Sequence, residues 1–250
     1  MEVRTQREAS ERVMTTGTAL AEKPVLRREV DLRDPVAAWL ESRCEKGCVA
    51  DEIDAGAGIA DLVATYGRTA SERANSYRYR YVSLTSRNEV ELFRFLVKAR
   101  TELELREWAP WGWKSLRENA MAPLLDRGLI RCSSGKYEIV EKIPDPGTNI
   151  TAVELKLRDW RRAVGQAARY HLFAHEVYIA LPMAAAEKSI TAAGELGIGV
   201  LGIDDDHIVR ELAAAVPNQP MDDSSRRLAA ERSVATGWAT VKRVGGSSLR

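Results

Sequence analysis

Hydrophobic and polar positions along the first part of the chain predict one helix followed by a hairpin. A helix start signal at Asp34 predicts a helix over 34–44 that has one apolar face. Two short apolar runs on either side of a glycine-containing loop then predict a hairpin over 47–65. The preceding segment, 1–30, is polar and weakly periodic, so we expect a loosely held arm there.

Beyond Pro146 the pattern predicts strands that alternate with helices. A strand at 150–157, a helix at 159–174 that Asp159 caps and a strand at 176–181 are followed by a further helix and a further strand. This βαβαβ order is typical of α/β architecture with a partly parallel sheet.

The end of the chain predicts a last helix and a tail. We expect the segment 207–216 to be helical, and the acidic run at 204–206 to begin that helix rather than to hold a metal. From Pro217 the chain is rich in Ser, Arg, Asp and Gly, which predicts a mobile tail over 217–250. One further helix is possible inside this tail, at 224–238.

Between these two regions, residues 70–145 predict three helices followed by a two-stranded hairpin. That order is typical of a winged helix, whose third helix enters the major groove and whose hairpin contacts the backbone, although some winged helices bind only protein. The candidate nucleic-acid contacts on the third helix and the hairpin are Lys114, Arg117, Asn119, Arg131 and Lys136. An alternation of Tyr and Arg over 77–81 would stack on bases, or would instead form a strand packed within the protein.

Composition indicates a globular protein and leaves its partner open. The chain has 250 residues, of which 29% are charged, and its formal net charge is +1. Bulk charge therefore does not indicate nucleic-acid binding, which would depend on how the charges are arranged. No apolar stretch approaches a membrane span and the charged start lacks a signal-peptide core, so we expect a cytoplasmic protein without a membrane partner. The 3 Cys residues predict free thiols rather than disulfides or a zinc site.

The strand at 150–157 carries an unusual pair of charges. Alternate side chains of a strand point to opposite faces, so Glu154 and Lys156 share the face that Val153 and Leu155 avoid. A charged pair on a central strand costs several kcal/mol per ion if it is buried, as an order of magnitude. A divalent metal and a phosphate would offset that cost, whereas an exposed edge strand would avoid it.

Asp61 is a second anomaly of the same kind, because it interrupts an otherwise apolar strand of the first hairpin. Two carboxylates and a Lys from neighbouring strands suit Mg²⁺ or Mn²⁺. Such a metal would polarise a phosphate and acidify a bound water, and Lys156 would position that water or stabilise developing charge. Asp61 and Glu154 are therefore candidate catalytic residues and metal ligands, and Leu155 between the strand charges is a third candidate ligand. In the alternative, Asp61 binds a turn backbone and the charges are structural.

Asp61 followed by Glu154-x-Lys156 on a strand, with a helix after it, resembles the PD-(D/E)XK (restriction-endonuclease-like) superfamily. The resemblance covers roughly 34–65 and 150–203, although the motif here lacks the proline that often precedes the Asp. It implies an α/β core with a mixed sheet flanked by helices, and residues 70–145 fall outside it as a winged-helix-like α+β insertion. The expected organisation is an arm at 1–30, a nuclease-like core at 31–69 and 146–216, an insertion at 70–145 and a tail at 217–250.

The resemblance also implies roles for residues around the strand. Many members of the superfamily carry a Gln in the helix that follows, a place that Gln166 occupies here, and some use an acid from the first helix, for which Glu41 is the candidate. On the helix after the strand, Arg158, Arg162 and Arg169 would hold phosphates, or would form an ordinary solvated face.

These features predict a magnesium-dependent nuclease, or one that uses manganese, acting on DNA, with RNA not excluded. A non-catalytic DNA-binding regulator with the same fold is the alternative. The sequence does not decide the oligomeric state: a homodimer and a subunit of a larger nuclease complex are both compatible with it.

Overall fold

The computed structural model describes residues 26–44, 47–67, 84–140 and 142–245, with side chains as far as residue 237. The strands are β1 (Cys48–Asp54), β2 (Ile59–Tyr66), β3 (Arg100–Thr101), β4 (Ile130–Ser133), β5 (Lys136–Ile139), β6 (Asn149–Leu155), β7 (Glu176–Pro182), β8 (Gly199–Ile203) and β9 (Val209–Ala213). The α-helices are α1 (Arg33–Arg43), α2 (Arg87–Phe95), α3 (Glu102–Trp108), α4 (Trp113–Leu116), α5 (Ala122–Asp126), α6 (Trp160–Ala167), α7 (Met183–Gly194) and α8 (Asp223–Gly245).

A mixed sheet with the strand order β1-β2-β6-β7-β8-β9 forms the centre of the molecule. Strands β1, β2 and β6 pair antiparallel, β6, β7 and β8 pair parallel, and β9 returns antiparallel to β8. Helices flank this sheet on both faces, which confirms the expected α/β class with a mixed sheet. The predicted first hairpin is confirmed as β1 and β2, and the predicted strand at 150–157 is confirmed as β6, one residue earlier at its start and two shorter at its end.

Both faces of β6 are buried, because helices cover the sheet on each side. Ala152 joins a core that includes residues of α6, α7 and α8, whereas Val153 joins a core that includes α1. The alternation of strand side chains assigns neighbouring residues to the two cores in this way. Glu154 lies on the same face as Ala152, so its carboxylate is directed towards the layer that contains α6.

The predicted first helix is confirmed as α1, which begins and ends one residue earlier than expected. A 3-10 turn at Glu29–Leu32 precedes α1, and Leu32 in it is fully buried. Asp31 accepts hydrogen bonds from the backbone N–H groups of Arg27 and Arg28, at 3.0 and 2.8 Å, so it does the capping expected of Asp34. The part of the expected arm after residue 26 is therefore ordered, and residues 1–25 lie outside the described residues.

The expected last helix is wrong, because 209–213 is the edge strand β9. The acidic run before it forms a turn: the Asp204 carboxylate accepts the N–H groups of Asp206 and Ile208 at 3.0 and 2.9 Å. His207 in this turn has a left-handed φ of 61°. A helix and an edge strand can carry the same short apolar pattern, and pairing with β8 decides between them here.

The possible helix at 224–238 is confirmed as part of α8, which packs on the central sheet, so the expectation of a mobile tail is corrected over Asp223–Gly245. Its residues Leu228, Ala229, Ala230 and Val234 are buried. Helix α8 also contacts the insertion: Arg94 of α2 lies 3.0 Å from Asp223, and Arg227 donates to the Ile143 carbonyl at 3.0 Å. One helix thus joins the central sheet to the inserted segment.

The insertion has a hydrophobic core of its own, which includes Leu92, Leu105, Leu116 and Leu124. Its sheet has the order β3-β5-β4, and a π-helical turn joins α4 to α5. The Tyr-Arg alternation at 77–81 lies outside the described residues. Within the residues that the structure covers, no helix is both long enough and apolar enough to cross a membrane.

Candidate functional site

Asp61 and Glu154 lie side by side where the pairing of β2 with β6 ends. The last paired residues are Leu62 and Val153, and the two acids follow at the next position on each strand. Oδ2 of Asp61 accepts a 2.7 Å hydrogen bond from the backbone N–H of Leu155, so the acid continues the link between the strands by its side chain.

Glu154 is almost completely buried, with 1% of its surface exposed, and two side chains hold its carboxylate. Nζ of Lys156 lies 2.9 Å from Oε1. The hydroxyl of Tyr170 donates to Oε2. A buried carboxylate requires partners of this kind, since burial without them costs several kcal/mol as an order of magnitude. Together Asp61, Glu154 and Lys156 form a triad at the end of the strands.

Lys156 directly follows β6 and closes the triad. Its Nζ donates to the carbonyl of Leu155 at 3.0 Å and lies 3.4 Å from Oε2 of Glu29, in addition to its contact with Glu154. Burial lowers the pKa of Lys156, but the hydrogen bond and charge of Glu154, with the charge of Asp61, outweigh burial and leave this pKa above its ordinary value. The ammonium therefore stays charged at neutral pH.

The pKa of the Asp61 carboxyl is raised above its ordinary value. Burial raises the pKa of Asp61, the Leu155 N–H lowers it, and the charge of Glu154 raises it again, so the pKa lies above its usual value. Two carboxylates that repel each other in this way favour a cation between them. The electrostatics of the pair thus suit a positively charged ligand.

A cleft of about 340 Å³ opens next to Lys156, and we call it the basic cleft. It is lined by Arg27, Glu29, Lys156, Leu157, Arg158, Asp159 and Arg162. Four of these seven side chains are cationic and two are acidic. Asp159 uses its carboxylate to cap α6 by accepting the N–H of Arg162 at 3.0 Å, as the sequence predicts. The remaining excess of positive charge suits a phosphate.

The donors near the triad fit a small hard cation. Among the described residues no three His, Cys, Asp or Glu side chains form a group able to hold a metal. The oxygens that could bind a metal are Oδ1 of Asp61, Oε1 of Glu154 and the backbone carbonyl of Leu155. Nζ of Lys156 contacts the last two, at 2.9 and 3.0 Å, so a metal at this position would displace the ammonium. Mg²⁺ usually binds one or two carboxylates and keeps several waters, so this incomplete oxygen set suits it.

Gln166 and the three candidate arginines on and beside α6 lie in different surroundings. Arg158 and Arg162 line the basic cleft. Arg169 packs over the β1–β2 loop, since a Cβ on Gly58 would lie 3.8 Å from its guanidinium carbon. Oε1 of Gln166 is buried and has no hydrogen-bond partner among the described residues, and no contact joins it to the triad.

Glu41 does not belong to this site. It is exposed near the end of α1, whose Arg43 lies 3.6 Å from Glu176 at the start of β7. Because β6 and β7 are parallel, the start of β7 lies at the opposite end of the sheet from Glu154. Glu29, in the turn before α1, supplies the acid near Lys156 instead.

The candidate nucleic-acid residues of the insertion all lie at the surface. Lys114, Arg117, Asn119, Arg131 and Lys136 are exposed. Asn119 donates to the Ser115 hydroxyl at 3.1 Å, and Arg131 pairs with Glu138 across the hairpin at 2.7 Å. Among the described residues, no contact joins these five to the triad.

Sequence reasoning missed Tyr170, Glu29 and Arg27. Tyr170 lies in the 3-10 turn Ala168–Leu172 that continues α6, where it follows the buried Ala163 and Ala167. A buried tyrosine hydroxyl usually finds a polar partner. That signal pointed to a polar group beneath the helix. Glu29 and Arg27 carried no signal, because the polar composition of their segment resembled that of a loose arm.

Comparisons with protein-family models, with curated proteins and with solved structures returned no match.

Proposed function

We propose that this protein is a metal-dependent nuclease that hydrolyses phosphodiester bonds, in DNA above other nucleic acids. The observation that carries the proposal is the triad, in which two acids and an amine meet at one strand end beside a basic cleft. Carboxylates suit a divalent metal, an amine suits a phosphate or its attacking water, and flanking arginines suit the neighbouring phosphates.

Each residue has a distinct task in this proposal. Asp61, Glu154 and the carbonyl of Leu155 would hold Mg²⁺ or Mn²⁺, which supplies an activated water and polarises the phosphate. Lys156 would stabilise the negative charge that develops on the phosphate oxygens. Arg158 and Arg162 would bind the nucleic-acid backbone in the basic cleft, because exposed guanidinium groups pair with phosphate oxygens.

The insertion supports nucleic acid as the substrate. The order helix α2, strand β3, helix α3, helices α4 and α5, then the hairpin β4–β5, is the order of a winged helix. In such domains the helix before the hairpin enters the major groove. Here that helix exposes Lys114, Arg117 and Asn119, which are base- or phosphate-competent types. The insertion would add affinity or sequence preference.

Cleavage of plasmid, single-stranded DNA and RNA, with Mn²⁺ or with a chelator, tests the proposal. We expect the wild-type chain to cut DNA with Mn²⁺ and not with the chelator. Lys156→Ala should lower the rate by at least about a hundredfold, which is the order expected for loss of one group that stabilises transition-state charge. Lys188→Ala, which changes an exposed lysine of α7, is the matched control and should cut like the parent. A Lys156→Ala protein as active as wild type would contradict the proposal.

A second candidate is a non-catalytic DNA-binding regulator with this fold. The observation that favours it is the position of Lys156, whose Nζ contacts both Oε1 of Glu154 and the carbonyl of Leu155. An ammonium at that position satisfies the oxygens that a metal would use. The regulator should bind DNA equally well with Mg²⁺ and with a chelator, and should cut none of the substrates.

A further inference from the structure

The two carboxylate oxygens of Glu154 face different surroundings. Oε1 lies 2.9 Å from Nζ of Lys156, whose side chain lines the basic cleft. Oε2 accepts a hydrogen bond from the hydroxyl of Tyr170, a side chain that is fully buried. Oε1 therefore faces the cleft and becomes available to an ion that displaces the Lys156 ammonium, whereas Oε2 is turned towards the protein interior.

Tyr170 is itself held in place. Its hydroxyl lies 2.7 Å from the carbonyl of Ile59, the first residue of β2, and its single proton serves both this carbonyl and Glu154. Its ring packs against Phe173, with 5.6 Å between the ring centroids. A side chain fixed by packing and by a second hydrogen bond keeps its partner in one rotamer. Glu154 is therefore restrained in the absence of any ligand.

We propose that Tyr170 is a positioning residue that limits Glu154 to one metal-binding oxygen and so selects Mg²⁺ over Ca²⁺. The inference rests on the proposed metal site and adds its ion selectivity. Ca²⁺ takes 6–8 oxygens and often binds both oxygens of a carboxylate, whereas Mg²⁺ needs an octahedron and keeps waters. Holding Oε2 on Tyr170 removes one oxygen that Ca²⁺ would use and none that Mg²⁺ requires.

Calorimetric titration of the full chain with Mg²⁺ and, separately, with Ca²⁺ tests this inference without any assay of cleavage. Tyr170→Phe keeps the ring and removes the hydroxyl, so Oε2 becomes available. We expect the ratio of Ca²⁺ affinity to Mg²⁺ affinity to rise about tenfold, the lower end of the usual effect of residues that orient metal ligands. Tyr178→Phe is the matched control, because Tyr178 is equally buried and donates to Glu211 at 2.8 Å across the sheet. Its ratio should equal that of the wild type.

Melting curves of both variants, recorded without metal, separate an effect on selectivity from an effect on folding. The wild-type chain provides a test that needs no variant: it should bind Ca²⁺ no more tightly than Mg²⁺. Two results would overturn the role of Tyr170 but leave the metal site standing. One is a wild-type chain that binds Ca²⁺ tenfold more tightly than Mg²⁺. The other is a folded Tyr170→Phe protein whose ratio of Ca²⁺ to Mg²⁺ affinity is unchanged. A wild-type chain that binds neither ion would overturn the proposed metal site, and this inference with it.

Discussion

Leu155 donates its backbone N–H to Oδ2 of Asp61 at 2.7 Å, across the junction of β2 and β6. This bond lies where the ladder between the two strands stops, one position beyond Leu62 and Val153. The side chain of Asp61 therefore has a structural task at one oxygen and leaves the other oxygen available. A variant that keeps the acceptor but loses the charge separates these two tasks.

Asp61→Asn should fold and should lose metal binding. Its amide oxygen still accepts the Leu155 N–H, so the end of the strands is kept. Mg²⁺ at a hundred times its dissociation constant should stabilise the wild type by about 2.7 kcal/mol and the variant by almost nothing. Urea denaturation with and without Mg²⁺ measures this difference. Asp51→Asn, on β1, is the control and should respond to Mg²⁺ like the parent.

The stability of Asp61→Asn without metal should depend on pH relative to the wild type. Because the pKa of Asp61 is raised above 3.8 in the folded chain, the folded state holds the proton more tightly than the unfolded state. The stability that this proton provides is present at low pH and is lost as pH rises through the folded pKa. The Asn variant should therefore gain stability relative to the wild type as the pH rises above about 4. If the free energy of unfolding of the Asn variant instead falls relative to the wild type as the pH rises, the pKa of Asp61 is not raised.

Arg162→Ala should weaken DNA binding in a way that depends on salt and not on sequence. Arg162 lines the basic cleft, where it would pair with a phosphate. Loss of one phosphate contact should lower the slope of log affinity against log salt by about one. Fluorescence anisotropy at several salt concentrations measures the slope. Arg210→Ala, on the edge strand β9, should leave the slope unchanged, and equal slopes for all three proteins would exclude the cleft as a DNA contact.

Asp145→Asn should loosen α8 where it meets the end of the insertion. Burial raises the pKa of Asp145, but the hydrogen bond and charge of Arg226 outweigh it, so this pKa lies below 3.8. The Asp145–Arg226 pair therefore stabilises the folded state above about pH 3.8, and this stabilisation is lost as the pH falls through the lower pKa of the folded chain. We expect a loss of about 1–2 kcal/mol at pH 7, below the value for fully buried pairs because Asp145 is partly exposed. Urea denaturation at pH 7 and pH 3 measures the free energy of unfolding of both proteins, and the difference between wild type and Asp145→Asn should be smaller at pH 3.

Gly237→Ala should separate α8 from β1. A Cβ at this position would overlap Sγ of Cys48 and lie 3.1 Å from the carbonyl of Val49. Overpacking of this kind costs about 1–3 kcal/mol. Gly165→Ala in α6 is the control, because no atom lies within 4 Å of its Cβ, and it should stabilise by about 0.5–1 kcal/mol. Equal stability of the two variants would mean that α8 is not closely packed on the sheet.

Short-range signals predicted much of the fold and most of the triad. The glycine loop between β1 and β2 and the cap at Asp159 depend on neighbouring residues, so they could be predicted from the chain alone. Strand alternation likewise predicted that Glu154 would leave the core shared by Val153 and Leu155. Lys156 lies just past the strand, but its long side chain still reaches Glu154.

Features that depend on contact between distant segments could not be predicted from the sequence. The segment at 207–216 carries an apolar pattern that suits a helix as well as a strand, and only its pairing with β8 made it β9. A helix at 224–238 could be predicted from the sequence, but its polar composition did not reveal that small residues such as Ala229 and Ala230 pack it on the sheet. Neither outcome depends on the local sequence alone, since each requires a partner distant along the chain.

The sequence by itself determined which residues of this protein are anomalous: an acid in each of two apolar strands, and a lysine two residues after the second acid. Only the tertiary structure decided their partners, placing Tyr170 on Glu154, Glu29 near Lys156, and Glu41 at the far end of the sheet. The reason is that a strand's alternation follows from covalent geometry, whereas contacts between strands, turns and helices depend on how the whole chain packs.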